Sequence, residues 1–221
     1  MTAMRLFPIA LLALAASLGA QAATVSVIVT DKEGKPVGDA VVVVVVPASA
    51  AGDAKPLPMQ ATVAQEKMQF VPAVTIVPVG ARVTFVNNDS WEHHIRGSAA
   101  GLAQFNAATA GRGLELRLDG KAAGQPAKSA DAQMTVAGPM LLGCHIHGSM
   151  KGHIYVTDSP WAMKTTPEGQ AVFDDVPAGA VQVRVWHAEQ LIDLPASAVT
   201  TGAGVARLAV QLPFVPRKRR M

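Results

Sequence analysis

Hydrophobic and polar positions alternate along most of this chain with a period of two, the mark of half-buried strands. Thr24 to Thr30 (TVSVIVT) alternates and is β-branched, and a turn at Asp31-Lys32-Glu33-Gly34-Lys35-Pro36 follows. Ala40 to Val46 then holds six consecutive valines, as in a strand covered on both faces. Residues 24–46 therefore read as a hairpin, and the small, Pro-rich stretch 47–58 as a loop. Further strands are expected at Ala61 to Ala64, Val74 to Val77, Ala81 to Asn87 (ARVTFVN), Leu114 to Leu118, Met140 to Gly143 and Gly152 to Thr157 (GHIYVT). Beyond these, Ala171 to Phe173, Val181 to Trp186 (VQVRVW) and Val205 to Leu212 complete the pattern. No segment keeps a capped helical period. The reading is all-β, with Greek-key or sandwich connections.

Composition adds little to this until the ends of the chain. Half of the 221 residues are apolar and 16% are charged, which suits a chain able to bury a core and argues against general disorder. The formal net charge of +3 is not spread in a nucleic-acid pattern. The one dense basic run, Arg217 to Arg220, reads as a solvated tail. At the other end, Arg5 precedes an apolar stretch from Leu6 to Ala20, closed by Ala20-Gln21-Ala22. That is the form of a secretory signal peptide cleaved after Ala22, and it implies export to the periplasm. The apolar run is too short for a comfortable permanent span. Export gives meaning to the cysteine count: Cys144 is alone, so it has no intrachain disulfide partner and must be buried or bound.

Its neighbourhood points to a metal. In Cys144-His145-Ile146-His147-Gly148-Ser149-Met150 a thiol, imidazoles and a thioether share one tight loop between strands. Soft sulfur donors suit Cu(I), imidazole suits both copper oxidation states, and two His and one Cys with a weak axial Met form a blue-copper set. The second imidazole must come from elsewhere, and the His93-His94 pair supplies it. Alternation turns His93 and Ile95 inward and His94 outward. The expected ligands of a single copper ion are His93, Cys144, His147 and Met150, with His94 and His145 as possible substitutes. His153 is expected to face solvent, His187 to be a hydrogen-bonded or surface residue, and Trp91 to cover the loop or help form a docking surface.

These residues carry a resemblance. Residues 68–157 resemble a cupredoxin domain of the plastocyanin and amicyanin type. Asn87-Asn88-Asp89-Ser90-Trp91-Glu92-His93 matches the segment bearing the family's first histidine ligand, and Cys144, His147 and Met150 match the compact ligand loop of amicyanin. His94 stands where the family usually has an Asn that steadies the ligand loops, and His145 is a second departure. With Val185-Trp186-His187 downstream, most of the chain is similar to exported, methylamine-utilisation-type cupredoxin-like proteins. The flanks resemble a carboxypeptidase-regulatory or transthyretin-like β-sandwich.

The resulting expectation is a leader at 1–22, a small sandwich split between 23–50 and 164–212, a copper domain at 61–157 set into it, and a basic tail at 213–221. Two sequential β units are the alternative. The resemblance implies a one-electron carrier rather than an enzyme: a monomer that docks transiently with redox proteins, binds no nucleic acid and keeps no stable membrane insertion once the leader is removed. Copper trafficking, storage or sensing is the competing function. A metal-free binding sandwich lacks an aromatic platform, and a hydrolase lacks a catalytic set. One cysteine and six histidines are too few for a multicopper oxidase.

Overall fold

A computed structural model describes residues 22–50, 54–101 and 113–217. Most of the expected leader (1–21) and the basic run from Lys218 onward lie outside the described residues.

The described chain is all β. Strand β1 (Ala22–Thr30) buries Val25, Val27 and Val29 on one face. It pairs antiparallel with β13 (Gln170–Pro177) and parallel with β16 (Val205–Gln211). Strand β2 (Val41–Val45) lies in a different sheet, between β12 (Trp161–Lys164) and β14 (Gly179–Trp186), with β15 (Ser197–Thr201) beyond. The expected hairpin over 24–46 therefore does not form. The turn does: the Asp31 carboxylate accepts the amides of Glu33 and Lys35, and Gly34 takes the left-handed conformation. Packing decides the rest. Paired side by side, β1 and β2 would leave their valines on one open face. Placed in facing sheets, Val25, Val27 and Val29 bury Val42 and Val44, and each such side chain contributes about 1.5–3 kcal/mol.

Two further sheets face each other in the same way. One holds β4 (Gln69–Val71), β3 (Gln60–Glu66), β6 (Arg82–Asn87) and β9 (Lys128–Gln133), in that order. The other runs β5 (Val74–Pro78), β11 (Lys151–Thr157), β10 (Gly138–Cys144), β7 (His93–Ala99) and β8 (Leu114–Leu118). Val63, Phe70, Val83, Phe85, Ile95, Leu142 and Ile154 fill the space between them.

The valine run of β2 was expected to be covered twice, and it is. Val42 and Val44 face the first core, while Val41 and Val43 pack with Val74, Tyr155 and Trp186. This seam corrects the expectation for His153. Along β11, Gly152, Ile154 and Val156 take the core side, which leaves His153 and Tyr155 on the other face. The β2 sheet covers that face, so His153 is 9% exposed, its ring 5.4 Å from Trp186. The other end of the chain is also docked: Phe214 packs against the first core and stands 5.8 Å from the His187 ring.

Candidate metal centre

Three donors converge where β7 and β10 lie side by side. Cys144 ends β10 directly opposite Ile95, which is two residues along β7 from His93 and on the same face. Both residues point into the core, His93 fully buried and Cys144 6% exposed. After Cys144 the chain makes a tight loop that closes on itself. The Met150 amide donates to the His147 carbonyl at 2.9 Å, and the Cys144 amide to the Met150 carbonyl at 3.3 Å. This brings His147 back over the cysteine. The Cys144 Sγ lies 3.6 Å from His93 Nδ1 and 3.5 Å from His147 Nδ1, and the two imidazole centroids are 5.0 Å apart. All three donor atoms fall within 4.8 Å of one another.

Met150, the fourth expected ligand, is 1% exposed and packs in the same core as Cys144. His147 is half-buried at the edge of the site, and its neighbours His145 and Ile146 are exposed.

His94 and His145 stand apart from this cluster. Alternation along β7 sends His94 to the opposite face from His93, where its Nε2 meets the Glu115 carboxylate at 2.6 Å. That hydrogen bond, with Arg96 beside it, holds the Glu115 carboxyl below its ordinary value. The His145 ring packs edge-on to His94, centroids 5.5 Å apart. The backbone of His94 does more for the site, since its carbonyl accepts the His145 amide at 2.9 Å and ties the ligand loop to β7.

Two residues that shape the site enter the sequence reading only as part of the motif before His93, with no role assigned. Asn87 is fully buried at the end of β6. Its side-chain amide donates to the carbonyls of Trp91, Leu118 and Asp119, and its oxygen accepts the Asp89 amide. Asn87 thus ties together the loop that leads into His93. Val83 and Phe85 share its inward face, and a polar residue at the end of that apolar series was the available signal.

The second is Asp89, whose carboxylate lies 2.9 Å from His93 Nε2 and also accepts the amides of Lys67 and Met68. Those two residues form the turn between β3 and β4, both at positive φ. Burial raises the Asp89 pKa, but the hydrogen bonds from Met68, His93 and Lys67 outweigh it, and the carboxyl rests below its ordinary value.

No protein-family model matches the chain, and no curated protein matches it either. Solved structures give loose likenesses. The Cu(I) form of an amicyanin variant aligns at 19% identity and a TM-score of 0.36, over 52% of this chain and 99% of that one. A reduced amicyanin variant aligns at 21% identity and 0.31, over 52% and 99%. The copper-containing nitrite reductase of Thermus scotoductus SA-01 aligns at 24% identity and 0.33, over 47% of this chain and 23% of that one. Likenesses this loose establish no shared activity. What the geometry defines is an all-β protein of several sheets with a His–Cys–His cluster, two of its members buried and one half-buried, able to hold a metal ion.

Among the described residues, no helix is long and apolar enough to cross a membrane.

Proposed function

We propose that this protein is a type 1 (blue) copper protein of the cupredoxin class, a one-electron carrier exported to the periplasm. His93, Cys144, His147 and Met150 are assigned as the ligands of one copper ion. One observation carries the reading: two imidazole Nδ1 atoms face the same buried sulfur at 3.5 and 3.6 Å. A thiol can donate its one proton to only one of them, and the sulfur is a weak acceptor for a ring N–H from the other. Donors sharing one ion at bond lengths near 2.0 and 2.3 Å stand about 3.5–3.7 Å apart, so the spacing fits a common cation. Mixed sulfur and imidazole donors suit both copper oxidation states. Copper, when bound, supplies a one-electron couple. The chain supplies a set of donors already gathered, inside an apolar core that keeps water away from the buried ones. Half-buried His147 is the natural exit for the electron, and the exposed Ile146 and Trp91 on the two ligand-bearing loops suit transient docking of a redox partner.

Sheet membership supports the split-domain reading. Strands β3 to β11 make the copper unit, and β1, β2 and β12 to β16 make a second sandwich around it. We assign that second unit to the transthyretin-like or carboxypeptidase-regulatory type.

Copper titration tests the reading. The full chain should take up one Cu(II), with an intense thiolate-to-copper visible band and the narrow hyperfine splitting of a blue site. The C144A variant should lose the band entirely. Colourless uptake that holds copper as Cu(I) and resists oxidation would favour trafficking, storage or sensing, a reading that the His94–His145 pair beside the centre lends some weight.

A further inference from the structure

The ring of His93 has two nitrogens in two different environments. Nδ1 looks at the Cys144 sulfur and Nε2 at the Asp89 carboxylate, 2.9 Å away. Asp89 is 7% exposed and His93 is fully buried, so water does not compete for this contact. The carboxylate is held from several sides. Its Oδ1 accepts the Lys67 amide and its Oδ2 the Met68 amide, while its backbone amide donates to Asn87 and its carbonyl accepts the Lys121 amide. This carboxylate touches a proposed ligand on the side of the ring away from the Cys144 sulfur.

We propose that Asp89 is a positioning residue for His93, fixing the imidazole as its Nε2–H tautomer and leaving the Nδ1 lone pair bare toward Cys144. The role rests on the copper-centre reading only for its consequence, because the tautomer is a property of the chain alone. An ionised carboxylate can only accept, so the ring proton it binds must sit on Nε2. The neutral ring then has its lone pair on Nδ1, the nitrogen that faces the sulfur. A carboxylate behind a ligating histidine also makes the ligand more basic, and losing such a partner costs about 10- to 100-fold in metal affinity.

The bonds to Lys67 and Met68 supply the rival explanation. Those residues hold φ of 51° and 58°, a conformation unfavourable for side chains other than glycine's, and Asp89 could matter only as a brace for their turn. Replacing both by glycine removes that need.

The test compares wild type, Asp89→Ala, Asp89→Asn, and Asp89→Ala in a Lys67→Gly/Met68→Gly background, all as the full chain. Nitrogen-15 NMR of the metal-free protein reads the His93 tautomer, and Cu(II) titration reads affinity. Wild type should show Nε2–H alone. Asp89→Ala should give a mixture with Nδ1–H and lose about 10- to 100-fold in Cu(II) affinity. The same change should persist in the glycine background. Asp89→Asn, whose amide oxygen can still accept, should restore most of the Nε2–H form. A folded Asp89→Ala protein that keeps the wild-type tautomer overturns the proposal, and so does a loss that the two glycines abolish. A wild-type chain that takes up no copper sinks the copper reading instead, and the tautomer spectra still decide the role of Asp89.

Discussion

Tyr155 and Trp186 meet across the seam where the β2 sheet covers the β11 sheet, ring centroids 5.6 Å apart and tilted by 49°. Tyr155 comes from β11, in the sheet that also holds β7 and β10, and Trp186 from the end of β14. The His153 ring meets the same tryptophan edge-on, and Val41, Val43 and Val74 pack around them. Trp186 is 4% exposed, so truncation leaves a large hole with aromatic walls. Trp186→Ala should destabilise the protein by about 3–5 kcal/mol, read as a fall in the urea midpoint. A loss below about 1 kcal/mol would mean that the seam is loose in solution.

Burial at that seam makes stability depend on alkaline pH. Desolvation raises the Tyr155 pKa above its ordinary 10.0, and nearby Asp158 and Asp193 push the same way, against Arg184. The folded state therefore keeps the phenol proton at a pH where the unfolded chain has released it. With fewer protons bound in the unfolded state, stability falls as pH rises above about 10, until the folded pKa is passed. Below that window the residue contributes no slope. The drop in melting temperature between pH 8 and pH 11 should be steeper for wild type than for Tyr155→Phe. Equal slopes in the two proteins would contradict the assignment.

A third prediction concerns the loop that presents His93. Gly120 lies against it so closely that an added Cβ would fall 2.2 Å from the Ser90 carbonyl oxygen and 2.7 Å from the Trp91 nitrogen. Both neighbours are backbone and cannot swing aside, and Asn87 pins the same loop through the Trp91 carbonyl. Gly120→Ala should therefore displace residues 90–91, at a cost of about 1–3 kcal/mol. It should also alter the visible spectrum of the copper-loaded protein, although residue 120 touches none of the proposed ligands. An unchanged melting temperature together with an unchanged spectrum would show that the loop is free to move.

The sequence carried the core strands well because their signals are local. Alternation in Thr24 to Thr30 and Ala81 to Asn87, and the valine run at Val41, each state which face is buried. Alternation also separated His93 from His94. The partners of strands were illegible, since β1 pairs with a strand about 145 residues away, closer in sequence though β2 is. Short strands such as β4 and β12 carry too few residues to show a period. His153 was misjudged for the same reason: only the arrival of the β2 sheet decides that its face is covered. In the site, spacing in the Cys144 loop marked Cys144 and His147, two of the three residues that cluster. Asp89 and Glu115 carried no such mark, because carboxylates in loops and at edge strands are ordinary until a histidine is seen behind them.

Met150 is both a proposed ligand and a core side chain, and the two roles call for different substitutions. It is 1% exposed and shares a cluster with Phe85, Ile95 and Leu142. Truncation to alanine removes packing and thioether together, so a loss of about 2–5 kcal/mol would say nothing about copper. Met150→Leu separates them, because leucine conserves volume closely and should cost less than about 1.5 kcal/mol in the metal-free protein. What leucine lacks is the sulfur lone pair. If the Met150 sulfur serves as a weak fourth donor to copper, its loss should shift the reduction potential and the visible band while the thiolate absorption itself survives. Potential and spectrum matching wild type, with stability also unchanged, would assign Met150 to packing alone.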